Sequence, residues 1–182
     1  MHMAGRILVA LSRGIDRLAS ALAMMFLVVL VGAVMTQVIA RYVLQSPPAW
    51  TEELARYTMI WAGLMGATMS FKRRFDPALI GSASADRPAW LTALTGGIQG
   101  LAVLIYLLPI LWFSFFGPNM NPERSFLVRH SRMTAETLGF PTLLVAVAVP
   151  LMIVFILIHL MARPFEREQP HPEQTAPERE LV

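Results

Sequence analysis

Two neighbouring glutamates and an arginine are the side chains best placed to do chemistry beside an apolar segment. Glu52 and Glu53 begin a long apolar stretch, and Arg56 follows Glu52 by four residues. Residues four apart share a helix face, so Glu52 and Arg56 can pair. Acids inside a membrane often mark ion pathways, whereas acids at a helix start are favoured by the helix dipole. A proton or cation relay and a docking motif both fit, and the position at the membrane edge favours docking.

The residues around this acid pair are typical of a helix end at a membrane surface. Arg41 and Tyr42 end one apolar run and Trp50 begins the next, as amphipathic side chains do at an interface. A Pro-Pro pair interrupts the chain between them, and Thr51 is expected to cap the second helix. Farther along, small residues recur at helical spacing and would let another helix approach closely: Ala62, Gly63, Gly66 and Ala67.

Composition and spacing argue against most catalytic chemistries. The chain has no cysteine, which removes disulfides, thiol chemistry and cysteine-ligated metals. Of its four histidines only His159 falls within an apolar segment, so no facing pair for haem and no metal-ligand cluster is formed. No catalytic triad, phosphate-binding glycine loop or pair of catalytic carboxylates is recognisable. We therefore predict no enzyme activity, no cofactor and no metal site in this chain.

The elements that must position these residues are membrane helices. The chain has 182 residues, 55% hydrophobic and 15% charged, with a mean hydropathy of +0.55. Globular soluble proteins carry about 25% charged residues, so an all-α integral membrane protein is predicted. Four apolar segments are long enough to cross a bilayer core of about 30 Å: residues 18–40, 50–71, 90–116 and 138–161.

The flanking segments set the domain boundaries and the orientation. We predict that residues 1–17 form an amphipathic helix on the membrane surface, or else a basic tail. Residues 163–182, which are rich in Pro, Glu and Gln, are predicted to form a disordered tail. Ten of the 15 Lys and Arg lie on the side of both termini, which the positive-inside rule places in the cytoplasm. This asymmetry accounts for the net charge of +3 without a nucleic-acid partner. The expected apolar face of the first helix is Ile7, Leu8, Leu11, Ile15 and Leu18.

A distinctive pattern spans the first loop and the second apolar segment: Arg41-Tyr42, then Trp50-Thr51-Glu52-Glu53-Leu54-Ala55-Arg56-Tyr57, then Trp61 and Gly66-Ala67. This pattern resembles the signature of the small membrane subunit of tripartite ATP-independent periplasmic (TRAP) transporters, the DctQ-like family. The chain length, the four spans and the run 138–141 are also similar to that family. One departure is the segment 72–77, which lacks a histidine that many members have, so no role of that histidine is carried over.

The resemblance implies a multi-pass protein of the bacterial inner membrane with an accessory role. In such systems a periplasmic binding protein captures an organic acid, and a large subunit moves it by an elevator motion driven by sodium. The small subunit would pack beside the large one among membrane lipids, leaving the sodium and substrate sites to the large subunit. The residues expected at that interface are Arg41, Tyr42, Trp50, Glu52, Glu53, Arg56, Tyr57, Trp61, Gly63 and Gly66.

Two alternatives stay open at this point. The chain could instead be a small stand-alone transporter or exporter that uses Glu52 and Glu53 as an ion relay. The loop at 119–136 holds Arg124, Arg129 and Arg132, which are expected either to contact the periplasmic binding protein or to be solvated loop charges.

Overall fold

The computed structural model describes residues 3–73 and 89–166 of the chain. Its long helices are α1 (Met3–Tyr42), α2 (Ala49–Arg73) and α3 (Ala89–Phe115). Two short 3-10 turns, Pro118–Met120 and Pro122–Arg124, lead into α4 (Phe126–Ser131), α5 (Leu143–Ala146) and α6 (Ala148–Glu166). Within the two described ranges no β-strand occurs, and pairing is limited to a bridge between Thr134 and Pro141. The prediction of an all-α fold is confirmed.

Three helical stretches are long and apolar enough to cross a membrane. They are Gly5–Tyr42, Leu94–Met120 and Leu143–Phe165. Helix α2 is not among them because charged residues occupy both of its ends and threonines and glycines dilute its apolar middle. The structure therefore shows three candidate spans where the sequence predicted four.

Helix α6 is the central element of the bundle. Of the most apolar part of the Leu143–Phe165 stretch, a share of 39% is buried inside the protein. The corresponding shares are 11% in α1 and 17% in the stretch that contains α3. Helix α6 packs against α1, α2 and α3, whereas α3 has few other neighbours. The outer faces of α1 and α3 are left apolar and exposed, as expected for surfaces that meet lipid or another protein.

Helices α1 and α2 form an antiparallel hairpin that packs on α6. The beginning of α1 lies beside the end of α2, since the Lys72 amine donates to the Ser12 carbonyl across 3.0 Å. One core cluster joins Ile15 and Ala19 of α1 to Met65 of α2 and Phe155 of α6. A second cluster ties α3 to α6 through Leu107, Ile153 and Ile156.

Helix α1 has no break at the boundary predicted at residue 18. Helix α1 is continuous over 40 residues, about 60 Å at 1.5 Å per residue. Of the predicted apolar face, Ile7, Leu11 and Leu18 are exposed within the chain, so its contact with a membrane surface stays a prediction. The buried face is instead the one that meets α2 and α6: Val9, Ser12, Ile15 and Ala19.

The last membrane segment begins later than its apolar composition suggests. Residues 134–142 form a turn stabilised by backbone hydrogen bonds, and helix starts only at Leu143. A break at Val147 separates α5 from α6, three residues before Pro150, whose ring nitrogen cannot donate to the preceding turn. Helix α6 continues to Glu166, past the predicted start of the tail at 163. The rest of that tail, and the loop at 74–88, lie outside the described residues.

Two methionines of α2 give a matched test of this packing. Met65 is fully buried and Met59 is 57% exposed on the same helix. Met65→Ala should lower the stability of the purified chain by about 2–5 kcal/mol because it leaves a cavity. Met59→Ala should change it little. Thermal unfolding in one detergent measures both, and equal midpoints for the two variants would contradict the packing described here.

Candidate functional site: a buried carboxylate at the start of α2

The acid pair predicted from the sequence separates into one buried and one exposed carboxylate. Helix α2 begins at Ala49, directly after Pro48, so Thr51 lies inside the helix rather than at the expected cap position. The Thr51 hydroxyl is buried and donates to the Pro48 carbonyl across 2.7 Å. This hydrogen bond stabilises the first turn of α2. Glu53 then points toward the protein and Glu52 away from it.

Glu53 is the most heavily hydrogen-bonded acid in the described residues. Its Oε1 accepts from the Glu136 backbone N–H at 2.9 Å and from the Tyr57 hydroxyl at 2.8 Å. Its Oε2 accepts from the backbone N–H of Thr137 at 2.8 Å and of Leu138 at 3.0 Å, and also from the Thr137 hydroxyl. Charge-assisted hydrogen bonds of this kind are about twice as strong as neutral ones. The carboxylate therefore joins α2 to a segment more than 80 residues away.

The receiving segment is shaped so that three consecutive N–H groups converge on one point. Ala135 donates its backbone N–H to Phe140 at 2.8 Å, and Gly139 donates back to Ala135 at 3.2 Å. Gly139 has φ +72°, a left-handed conformation that glycine adopts without steric cost. Successive N–H groups in such a turn form a nest for an anion. Glu53 supplies the anion from within the chain.

Aromatic side chains extend the same contact along α2. Tyr57 and Trp61 follow Glu53 at intervals of four, so all three face one side of the helix. The Tyr57 ring lies 5.6 Å from that of Phe140, and Trp61 donates its indole N–H to the Leu144 carbonyl at 3.2 Å. Trp61 also stacks on Phe26 of α1 at 5.2 Å. This side of α2 is used within the chain itself.

Of the remaining residues of the predicted interface, Glu52, Arg56 and Gly63 lie on the opposite, uncovered face of α2. Glu52 and Arg56 pair at 3.2 Å with both side chains more than half exposed, so the pair contributes at most about 1 kcal/mol to stability. A Cβ added at Gly63 or Gly66 would meet nothing within 4 Å among the described residues. Arg41, Tyr42 and Trp50 are exposed at the same end. We define the open face of α2 as Glu52, Arg56, Met59, Gly63 and Ala67, which are all exposed.

A second polar cluster, missed in the sequence analysis, lies at the other end of the bundle. The Ser12 hydroxyl of α1 and Nδ1 of His159 of α6 are 2.9 Å apart and buried, and His159 is only 1% exposed. Asp16 lies 3.9 Å from the Lys72 amine of α2, and Arg163 stacks on the ring of Phe71. The cluster links the three packed helices.

One sequence signal could have revealed this cluster. Ser12 and Asp16 are four apart, on the helix face that also carries Ala19. Both polar residues precede the first apolar segment, which begins at Leu18 by composition, so that segment does not include them. The contact between His159 and Ser12 of α1 could not be predicted from the sequence around His159, because it depends on how α6 packs against α1.

The three arginines of the loop at 119–136 surround one cavity. Arg124 ends the second 3-10 turn, Arg129 lies in α4 and Arg132 directly after it. All three side chains are exposed. No group of three or more metal-ligating side chains occurs among the residues that the structure describes.

Comparison with known proteins identifies one family. The family described as "Tripartite ATP-independent periplasmic transporters, DctQ component" matches residues 30–169. No curated protein matches the chain. The matched range contains the whole of α2, the nest and α6, and it confirms the resemblance noted in the sequence.

Adjacent glutamates provide the test of the buried carboxylate. In Glu53→Gln an amide NH₂ would replace an oxygen that accepts two or three hydrogen bonds, and each bond to a charged group is worth about 1.5–3 kcal/mol. The free energy of unfolding should fall by several kcal/mol. Glu52→Gln should cost less than about 1 kcal/mol. Thermal unfolding of the two purified variants measures the difference, and an unperturbed Glu53→Gln would disprove the structural role of Glu53.

Proposed function

The chain belongs to the DctQ component family of tripartite ATP-independent periplasmic transporters, and from this we propose that it is the small accessory subunit of such a transporter. It packs against the large elevator-type subunit in the bacterial inner membrane and is not an enzyme. The match over residues 30–169 is the observation that carries the proposal.

The proposed topology has four spans with both termini in the cytoplasm. We add helix α2 to the three candidate spans, because it is antiparallel to α1 and packs along both α1 and α6. Its 25 residues extend for about 37 Å, enough for a core of about 30 Å. The end of the bundle that carries Glu53 and the arginine loop then faces the periplasm. Ten of the 15 Lys and Arg fall on the opposite side, in keeping with the positive-inside rule.

The open face of α2 is the surface we assign to the large subunit. In lipid, helices associate through close packing of small residues and through polar contacts, since burial of apolar surface gains nothing there. Gly63 and Ala67 allow close approach, and the Glu52–Arg56 pair at the membrane edge offers polar contacts. The opposite face is held by Glu53 and Trp61, so α2 presents a rigid surface to its partner. Arg41, Tyr42 and Trp50 extend that surface at the periplasmic end.

The alternative, an ion relay through Glu52 and Glu53, has less support. Each oxygen of Glu53 already accepts two or more hydrogen bonds, so the group has no open position for a passing cation. Glu52 is exposed and paired with Arg56. We therefore place the sodium and substrate sites in the large subunit, which would move an organic acid delivered by a periplasmic binding protein. The small subunit itself needs no cofactor, and membrane lipids cover its outer helices.

Two glycines test the assignment of the interface. Gly63 and Gly97 both have open space around their Cβ positions, the first on α2 and the second on α3. With the chain co-expressed with its large subunit, Gly63→Leu should reduce co-purification about tenfold or more, because blocking a close helix contact costs over about 1.4 kcal/mol. Gly97→Leu should co-purify normally. Full recovery of the complex with Gly63→Leu would contradict the proposed interface, and a wild-type chain that never co-purifies would contradict the proposed function.

The absence of cysteine allows the topology to be mapped with single substitutions. Ser46→Cys and Asn119→Cys should react with an impermeant maleimide in intact spheroplasts, because both loops face the periplasm in this topology. Ser82→Cys, in the loop that follows α2 in the sequence, should react only after permeabilisation. Equal labelling of Ser46→Cys and Ser82→Cys would show that α2 does not cross the membrane.

A further inference from the structure

The loop between α3 and α5 is held in shape by a close backbone contact and by several hydrogen bonds. Gly117 lies so close to the backbone of Arg124 that an added Cβ would come within 2.5 Å of it, so only glycine fits there. The Asn121 side chain accepts from the Glu123 N–H at 3.0 Å, and the Ser125 hydroxyl accepts from Val128 at 3.3 Å at the start of α4. The Thr142 N–H donates to the Met133 carbonyl at 2.9 Å, which closes the loop.

This loop borders an open cavity of about 470 Å³ that is lined mainly by arginine side chains. The lining consists of Pro118, Glu123, Arg124, Arg129, Arg132 and Met133. Arg129 and Arg132 are three apart on one side of the chain as α4 ends, and Arg124 faces the same space from the preceding turn. Three cationic groups therefore oppose a single carboxylate.

The three guanidinium groups are available for binding. Among residues 3–73 and 89–166 none of them takes part in a hydrogen bond or an ion pair. A guanidinium is always charged and binds a carboxylate through two parallel hydrogen bonds. The chemistry of the cavity thus fits carboxylates presented from outside.

We propose that this cavity, the arginine pocket, is a docking site for an acidic surface patch on the soluble periplasmic component of the same transporter. The inference rests on the proposed function, which supplies the partner and places the loop on the periplasmic side. Charge complementarity selects the acidic patch.

The surroundings of the arginine pocket favour a protein over a lipid headgroup as the occupant. Met133 is 52% exposed in its lining, and Met120 is 64% exposed in the same loop. Arginine and methionine are enriched where proteins meet, whereas lysine and glutamate are depleted there. Acidic groups on a soluble partner would also be steered to a basic pocket, which speeds association at low salt.

The test measures binding of the purified soluble component to the complex of the small and large subunits in nanodiscs. The triple variant Arg124→Gln/Arg129→Gln/Arg132→Gln should bind about tenfold or more weakly, with a smaller dependence on salt. The triple Lys variant, which keeps the charge but loses the planar fork, should lie between it and the wild type. Glu123→Gln removes the one acid of the pocket and should leave binding equal or tighter. Weaker binding in all three variants, Glu123→Gln included, would indicate a damaged loop rather than a lost positive charge and would overturn the inference.

Each result separates this inference from the proposed function. Unchanged affinity of an assembled triple Gln variant would overturn the arginine pocket as a docking site and leave the accessory role intact. A loss that occurs only in nanodiscs containing anionic lipid would identify a lipid headgroup as the occupant and also overturn the inference. A wild-type chain that does not assemble with the large subunit would contradict the proposed function and, with it, this choice of partner.

Discussion

The arrangement of the end of the bundle where α2 begins depends on one buried carboxylate. Glu53 is only 8% exposed, and a charge removed from water must be compensated by hydrogen bonds or by an opposite charge. It is compensated by three consecutive backbone N–H groups, with two hydroxyls completing the set. Those N–H groups converge only if residues 134–142 turn as they do, with Gly139 at positive φ. The position of Glu53 therefore fixes where the chain enters the central helix α6.

This constraint divides the faces of α2 between two tasks. The side bearing Glu53, Tyr57 and Trp61 holds the chain's own last segment, and the open face is left uncovered, where we propose that the partner packs. A helix fixed on one side gives a rigid surface on the other, which suits a subunit that supports a moving neighbour. The same turn also connects through Thr142 to the His130 carbonyl of α4, so the loop that carries the arginine pocket is anchored to the bundle.

The sequence was sufficient for features that depend on composition and local spacing. The all-α membrane class, the Glu52–Arg56 pair and the family follow from apolar runs, an i, i+4 spacing and a short motif. It could not separate Glu53 from Glu52, because their burial differs only through a segment more than 80 residues away. It likewise missed the contact between Ser12 and His159, which arises when α1 and α6 pack. Nor could it show that helix α1 runs without a break through residue 18 and buries one face of its first turns, with Val9 and Ser12, inside the bundle.

The central claim is that the open face of α2 contacts a large transporter subunit. Because the chain has no cysteine, a single photo-reactive group can be attached at position 59 on the open face or at position 101 on the exposed side of α3. Irradiation of the co-expressed complex in membranes, followed by mass spectrometry, identifies the neighbour at each site. We expect an adduct with the large subunit at Met59 and only lipid adducts at Leu101. An adduct at Leu101 with none at Met59 would contradict the proposed contact.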